Sequence, residues 1–178
     1  MRLVPADPED LEDIAALVNR AYRGTEGWTH EGEYLGGQRT DAATLRADLA
    51  AAPEAILLTL REAPGGPLRG VVWLEPASGE AWYLGMLTVR PDLQDGRIGR
   101  RLLDEAEAYA FVRGGRRMRM TVLSVRGPLI AWYERRGYAR TGRTEPFPYE
   151  DPRFGLPQRD DLVFAVLEKN LAPAGPTP

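Results

Sequence analysis

Leu87-Thr88-Val89-Arg90-Pro91-Asp92-Leu93-Gln94-Asp95-Gly96-Arg97-Ile98-Gly99-Arg100-Arg101-Leu102-Leu103 is the stretch on which the reading of this chain turns. The run Ala81–Val89 is a strand candidate that stops at Arg90-Pro91. From Gly99 to Arg113, Leu102, Leu103, Ala106 and Ala110 fall on one helical face, and Gly114-Gly115 is the stop signal. The unit is therefore strand, glycine-bearing loop, helix. A helix start offers free backbone N–H groups and the positive end of the helix dipole, and glycines let a backbone approach an anion closely. Together they suit a pyrophosphate. Neither G-x-G-x-x-G nor G-x-x-x-x-G-K-[ST] is present, so the loop matches neither a Rossmann nor a Walker pattern.

Outward from this unit, the charge is uneven. Between Arg90 and Arg126 stand nine arginines against five acids, although the whole chain carries −3. Lys169 is the only lysine, so the cationic groups are almost all planar guanidiniums suited to bidentate phosphate contacts. The acidic remainder, and the lack of a basic stripe with interleaved aromatics, weigh against a nucleic-acid partner.

Before the loop, Arg2–Pro5 reads as a short edge strand, and Asp7-Pro8 opens a helix carrying Leu11, Ile14, Leu17, Val18 and Ala21. Gly24–Thr40 is a long polar, glycine-rich loop with Trp28 and Tyr34 in it, and Asp41–Ala51 is a second helix. Ala55–Arg61, Arg69–Leu74 and Ala81–Val89 form an antiparallel meander. After the loop come a strand at Arg117–Leu123, a short helix at Pro128–Arg136 closed by Gly137, and strands at Tyr138–Arg143 and Leu162–Leu167. Prolines 146, 148, 152 and 157 predict an extended, lid-like connection before the last strand. Met1–Leu171 is expected to be one α+β domain and Ala172–Pro178 a disordered tail.

The 178 residues, 43% hydrophobic, suffice for one well-buried core. No apolar run approaches the ~18 residues of a membrane span, so no membrane partner is expected. Met1–Asp10 lacks the apolar core of a secretory signal, and a cytoplasmic location is expected. Cysteine is absent, which removes thiolate nucleophiles, disulfides and cysteine-ligated zinc. His30 is the only histidine and no Gly-x-Ser-x-Gly elbow exists, so neither a serine triad nor a metal site is expected. Covalent acyl-enzyme chemistry has no evident nucleophile here.

These residues resemble the GNAT superfamily of acetyl-CoA-dependent N-acetyltransferases, whose loop is usually Gln/Arg-x-x-Gly-x-Gly/Ala after a strand ending in a Val-x-Pro-like step. Trp132-Tyr133-Glu134-Arg135-Arg136-Gly137-Tyr138 is similar to the family's [FW]-Tyr-x-x-x-Gly-[FY] segment. One departure is plain: the first loop glycine of the family falls on Arg97, with Gly96 one place early. The resemblance implies a mixed, mostly antiparallel sheet of about seven strands, splayed at the acetyl-CoA site and flanked by about four helices. It implies acetyl-CoA as co-substrate, held by Leu87, Thr88, Val89, Gln94, Asp95, Gly96, Arg97, Ile98, Gly99, Arg100, Ser124 and Trp132. It gives Tyr133 the role of general acid, protonating the departing thiolate.

The base is not marked in the same way. The strand before Val89 reads Trp82-Tyr83-Leu84-Gly85-Met86, without the carboxylate that many members carry there. Glu31 is the expected base; Glu26, His30, Glu33, Glu80 and an ordered water stay open. Gly27-Trp28-Thr29-His30-Glu31 and Arg39-Thr40-Asp41 look similar to a subgroup with a Gly-Trp-Thr-x-Glu…Arg-Thr-Asp loop, which implies acceptor binding by Trp28, Glu31 and Arg39. The expected reaction is direct transfer of acetyl to the primary amine of a small metabolite or peptide. A non-catalytic CoA-sensing module of the same fold is the alternative, and exposed edge strands make a homodimer possible.

Overall fold

A computed structural model describes residues 3–172. The expected tail beyond 172 lies outside them, as do the first two residues. In chain order the strands are β1 (Leu3–Pro5), β2 (Leu35–Gly36), β3 (Ile56–Arg61), β4 (Leu68–Pro76), β5 (Ala81–Val89), β6 (Arg117–Leu123), β7 (Ala139–Pro146), β8 (Leu156–Pro157) and β9 (Val163–Asn170). The α-helices are α1 (Leu11–Arg23), α2 (Ala42–Ala51), α3 (Ile98–Val112) and α4 (Gly127–Glu134).

The meander forms as its patterning predicts, with β3, β4 and β5 antiparallel neighbours. Alternate residues supply two separate cores, because the pleat sends them to opposite faces. Leu58, Leu60, Val72 and Leu74 pack under Leu102, Leu103, Ala106 and Ala110 of α3. Leu57, Val71 and Trp73 pack under Leu11, Ile14 and Val18 of α1 and Leu45 of α2. Burial on both faces explains why these strands read as nearly continuous apolar runs. Among the described residues the main sheet has seven strands, ordered β1-β3-β4-β5-β6-β9-β7. All contacts in it are antiparallel except β5–β6. This is the α+β fold expected, with four α-helices among the described residues.

Two edges of the expectation shift. β7 runs on to Pro146 and β4 to Pro76. Pro146 is tolerated because β7 is an edge strand, where a missing N–H faces no neighbour. The long loop Gly24–Thr40 and the connection after β7 are not independent: β2 pairs with β8, Leu35 opposite Pro157 and Gly36 opposite Leu156. That two-residue ladder fastens the proline-rich segment across the loop.

Candidate active site

The site is made by a split in the sheet. β5 and β6 pair only at their first three residues, Ala81–Tyr83 with Arg117–Arg119, and then part. The cause lies in β5. Opposite β4, Val71 faces Thr88 but Trp73 faces Gly85, so β5 carries one extra residue there. Met86 absorbs it with φ 50°, in the left-handed region. The Thr88 hydroxyl donates to the Met86 carbonyl at 2.9 Å and fixes the turn. Tyr83 Oη and Thr121 Oγ1, 3.3 Å apart, span the opening between the strands.

On one side of the split lies a cleft of about 540 Å³, walled by Leu87, Thr88 and Val89 of β5, by Gln94, Arg97, Gly99 and Arg100, and by Leu129, Trp132, Tyr133 and Arg136 of α4 and its end. A 3-10 turn, Pro91–Gly96, leads into it, and Arg97 follows at φ 59°, ψ 9°. Arg97 thus takes the left-handed turn at the position where the pattern has glycine. That conformation lets α3 start at Ile98, with the first N–H groups of the helix lacking intrahelical acceptors. Gln94 ties this loop to the other one: its Oε1 accepts from the Trp28 N–H at 3.0 Å.

Tyr133 stands where α4 lines the cleft. Its neighbour Trp132 packs edge-on against it at 5.0 Å, and Tyr138 does so at 5.7 Å from the other side. Arg136 lies over the Trp132 ring at 3.5 Å. The Tyr133 ring is buried, yet its hydroxyl makes no hydrogen bond among the described residues. Burial pushes the phenol well above the usual tyrosine range, while Arg126 and Arg136 pull it the other way.

Beyond Tyr133 a second cavity, about 370 Å³, opens between the parted strands and under the β2–β8 strap. Tyr22, Leu87, Arg126, Leu129 and Tyr133 line both spaces, so the two meet at Tyr133. Glu31 lines the second space, and each of its carboxylate oxygens accepts from a guanidinium: Oε2 from Arg23 at 2.6 Å and Oε1 from Arg126 at 2.9 Å. All three side chains are about nine-tenths buried. Glu145 also lines it and pairs with Arg119.

The expected residues are thus distributed as follows. Leu87, Thr88, Val89, Gln94, Arg97, Gly99, Arg100, Trp132 and Tyr133 converge on the larger cleft. Trp28, expected against the acceptor, stands in that cleft instead, half exposed. The Ile98 side chain turns into the core. Gly96 closes the 3-10 turn and Asp95 lies within it. Ser124 lies past the end of β6, where its N–H donates to the Val163 carbonyl at 2.9 Å, and it lines neither space. Glu31 and Arg39 line the second cavity. Of the other base candidates, Glu26 pairs with exposed Arg20, Glu80 sits in the turn before β5, and neither they nor His30 and Glu33 line either space. Sequence reasoning missed Tyr22, Arg126 and Met86. Only Gly127-Pro128, a helix start, hinted at Arg126.

The cleft fits a CoA thioester. Leu87, Thr88 and Val89 line it beyond the point where the β5–β6 ladder stops, and Arg97, Arg100 and Arg136 line it beside the α3 N-terminus. The Nε of Arg136 is buried without a partner among the described residues, a donor suited to an anionic ligand.

Residues 11–138 match the family model described as the acetyltransferase (GNAT) family. No curated protein sequence matches the chain. Among solved structures, the chain resembles ribosomal-protein-alanine N-acetyltransferase from Brucella melitensis, with TM-score 0.69 and 20% identity over 96% of this chain and 100% of that one. Nourseothricin acetyltransferase aligns with TM-score 0.67 and 19% identity over 96% and 98%. A Salmonella typhimurium protein solved with its cofactor acetyl-CoA aligns with TM-score 0.67 and 18% identity over 100% and 98%. At these identities the likeness is one of fold. Among the described residues no helix is long and apolar enough to cross a membrane.

Proposed function

The chain belongs to the acetyltransferase (GNAT) family, and on that premise we propose that it moves an acetyl group from acetyl-CoA directly to the primary amine of a small metabolite or peptide, without a covalent acyl-enzyme. The observation that carries this reading is the meeting of the two spaces at Tyr133. One suits the donor and the other an amine.

Acetyl-CoA, when bound, supplies the thioester that the amine attacks. The chain's own groups do the rest. The edge of Leu87–Val89 that β6 leaves without a ladder is placed to bind the donor arm and the thioester carbonyl. Arg97, Arg100 and the α3 N-terminus are placed for its phosphates. The Tyr133 hydroxyl gives its proton to the leaving sulfur. Burial keeps that proton in place at neutral pH, and the adjacent Arg126 favours the phenolate left behind.

Glu31 receives a different task from the one its position in sequence implied. With both oxygens engaged by buried guanidiniums, it holds the loop Gly24–Thr40 against α4, and the amine loses its proton to water. The test is a panel of amines assayed for free CoA release, with acetyl-CoA binding followed by calorimetry. The reading requires donor binding and thiol release with at least one amine. Failure to bind at millimolar donor overturns it.

A further inference from the structure

Of the two guanidiniums that line the second cavity among the described residues, Arg126 meets a carboxylate and Arg39 does not. The Glu31 carboxylate, also in the lining, is shared between Arg126 and Arg23. Arg39 and Arg126 flank the same ring: their guanidinium carbons lie 5.7 and 5.6 Å from the centroid of Tyr22. Among the described residues the Arg39 guanidinium meets no carboxylate. The Nε atoms of Arg23 and Arg126 are buried with no acceptor. The Arg119–Glu145 pair on the opposite side is balanced. Asp48 and Glu75 line a hollow that continues from the cavity towards α2; Glu75 accepts from Trp73 Nε1 at 3.3 Å, and neither acid meets Arg39.

Arg39 is also held in place. Asn19 Oδ1 accepts from the Arg39 and Thr40 amides at 2.6 and 3.2 Å, and Asn19 Nδ2 donates to the Thr40 carbonyl at 2.8 Å. α1 therefore positions this backbone by three hydrogen bonds, while the side chain ends without a counter-charge. A half-buried cation without a partner is unfavourable, and a ligand that brings the missing anion recovers that loss. The donor phosphates do not serve here, because Arg39 lines the second cavity and not the donor cleft.

We infer that the acceptor is a small primary amine bearing an oxyanion, a carboxylate in the first instance, with Arg39 binding the oxyanion while the amine points to Tyr133. This rests on the acetyltransferase reading above. A cavity of about 370 Å³ suits an acceptor of amino-acid size.

The experiment compares matched series of acceptors with acetyl-CoA as donor: amino acids, their carboxamides, the corresponding decarboxylated amines, and aminophosphonates. kcat/KM is expected to be roughly ten- to a hundredfold higher with the oxyanion present, as for a charge-assisted contact. Arg39→Gln should erase that preference through KM and leave calorimetric acetyl-CoA binding unchanged. Arg39→Lys should keep part of the preference. A higher rate with aminophosphonates than with amino acids supports the inference and identifies the oxyanion. Equal turnover of carboxamides, or an undiminished preference in Arg39→Gln, overturns the inference and leaves the acetyltransferase reading standing. No thiol release from the oxyanion-bearing series overturns the inference alone, whereas absence of calorimetric acetyl-CoA binding overturns both.

Discussion

Arg126 and Glu31, 95 residues apart in sequence, meet in a buried ion pair at 2.9 Å. One caps the helix that carries Tyr133, and the other belongs to the loop over the site. Their contact joins the two halves of the candidate site. Arg126 also donates to Thr29 Oγ1 at 3.2 Å, which adds a second tie to the same loop.

That contact predicts a large stability effect. Glu31→Gln leaves Arg23 and Arg126 buried around a neutral group, and a broken buried pair costs about 3–5 kcal/mol. Urea denaturation should show a loss of that size. A loss under about 1 kcal/mol would put the clamp among weak surface pairs and remove it from its anchoring role.

A second prediction concerns Arg97. A non-glycine residue in the left-handed region pays about 1–2 kcal/mol. Arg97→Gly removes that strain but adds about 0.5–1 kcal/mol of chain entropy to the unfolded state. Its stability should therefore equal or slightly exceed that of the parent. Arg97→Val, branched at Cβ, should be less stable than Arg97→Gly by roughly 1–2 kcal/mol. If thermal unfolding ranks Val above Gly, the turn is not left-handed in solution.

The buried tyrosines make the third prediction, about alkaline pH. Burial raises Tyr22, Tyr133 and Tyr138, and for Tyr138 the Glu107 carboxylate, accepting from its hydroxyl at 2.9 Å, raises it further. A group whose folded pKa lies above its unfolded value stabilises below the unfolded value and loses that contribution as pH rises. The loss should begin near pH ~10, the ordinary tyrosine value. Tyrosinate absorbance from these rings should then appear together with loss of far-ultraviolet circular dichroism. Full ionisation of all seven tyrosines in a chain that stays folded would contradict their burial.

How much of this was legible beforehand follows from the range of each interaction. Leu11, Ile14, Leu17, Val18 and Ala21 mark one face of α1 within a single segment, and all are buried. Gln94–Arg101 likewise carries its strand-loop-helix context in adjacent residues. The conformation of Arg97 was not legible, because Gly96 next to it offered an easier bearer of positive φ. Met86 gave no local signal except the neighbouring Gly85. The β2–β8 ladder and the Arg23–Glu31–Arg126 clamp join segments about a hundred residues apart, so they exist only once the sheet has brought their bearers together. Trp28 was read for its loop and not for Gln94, which draws it to the donor side.

The proposed reaction turns on Tyr133 protonating the leaving thiolate. Its hydroxyl has no hydrogen-bond partner among the described residues, so Tyr133→Phe should fold normally. The direct measurement is kcat for this variant with a saturating amine, beside its calorimetric Kd for acetyl-CoA. With Tyr133 as the acid, kcat should fall by roughly 10²–10⁴-fold, the usual contribution of a positioned acid, with Kd unchanged. A kcat equal to that of the parent would contradict that role and remove Tyr133 from the chemistry.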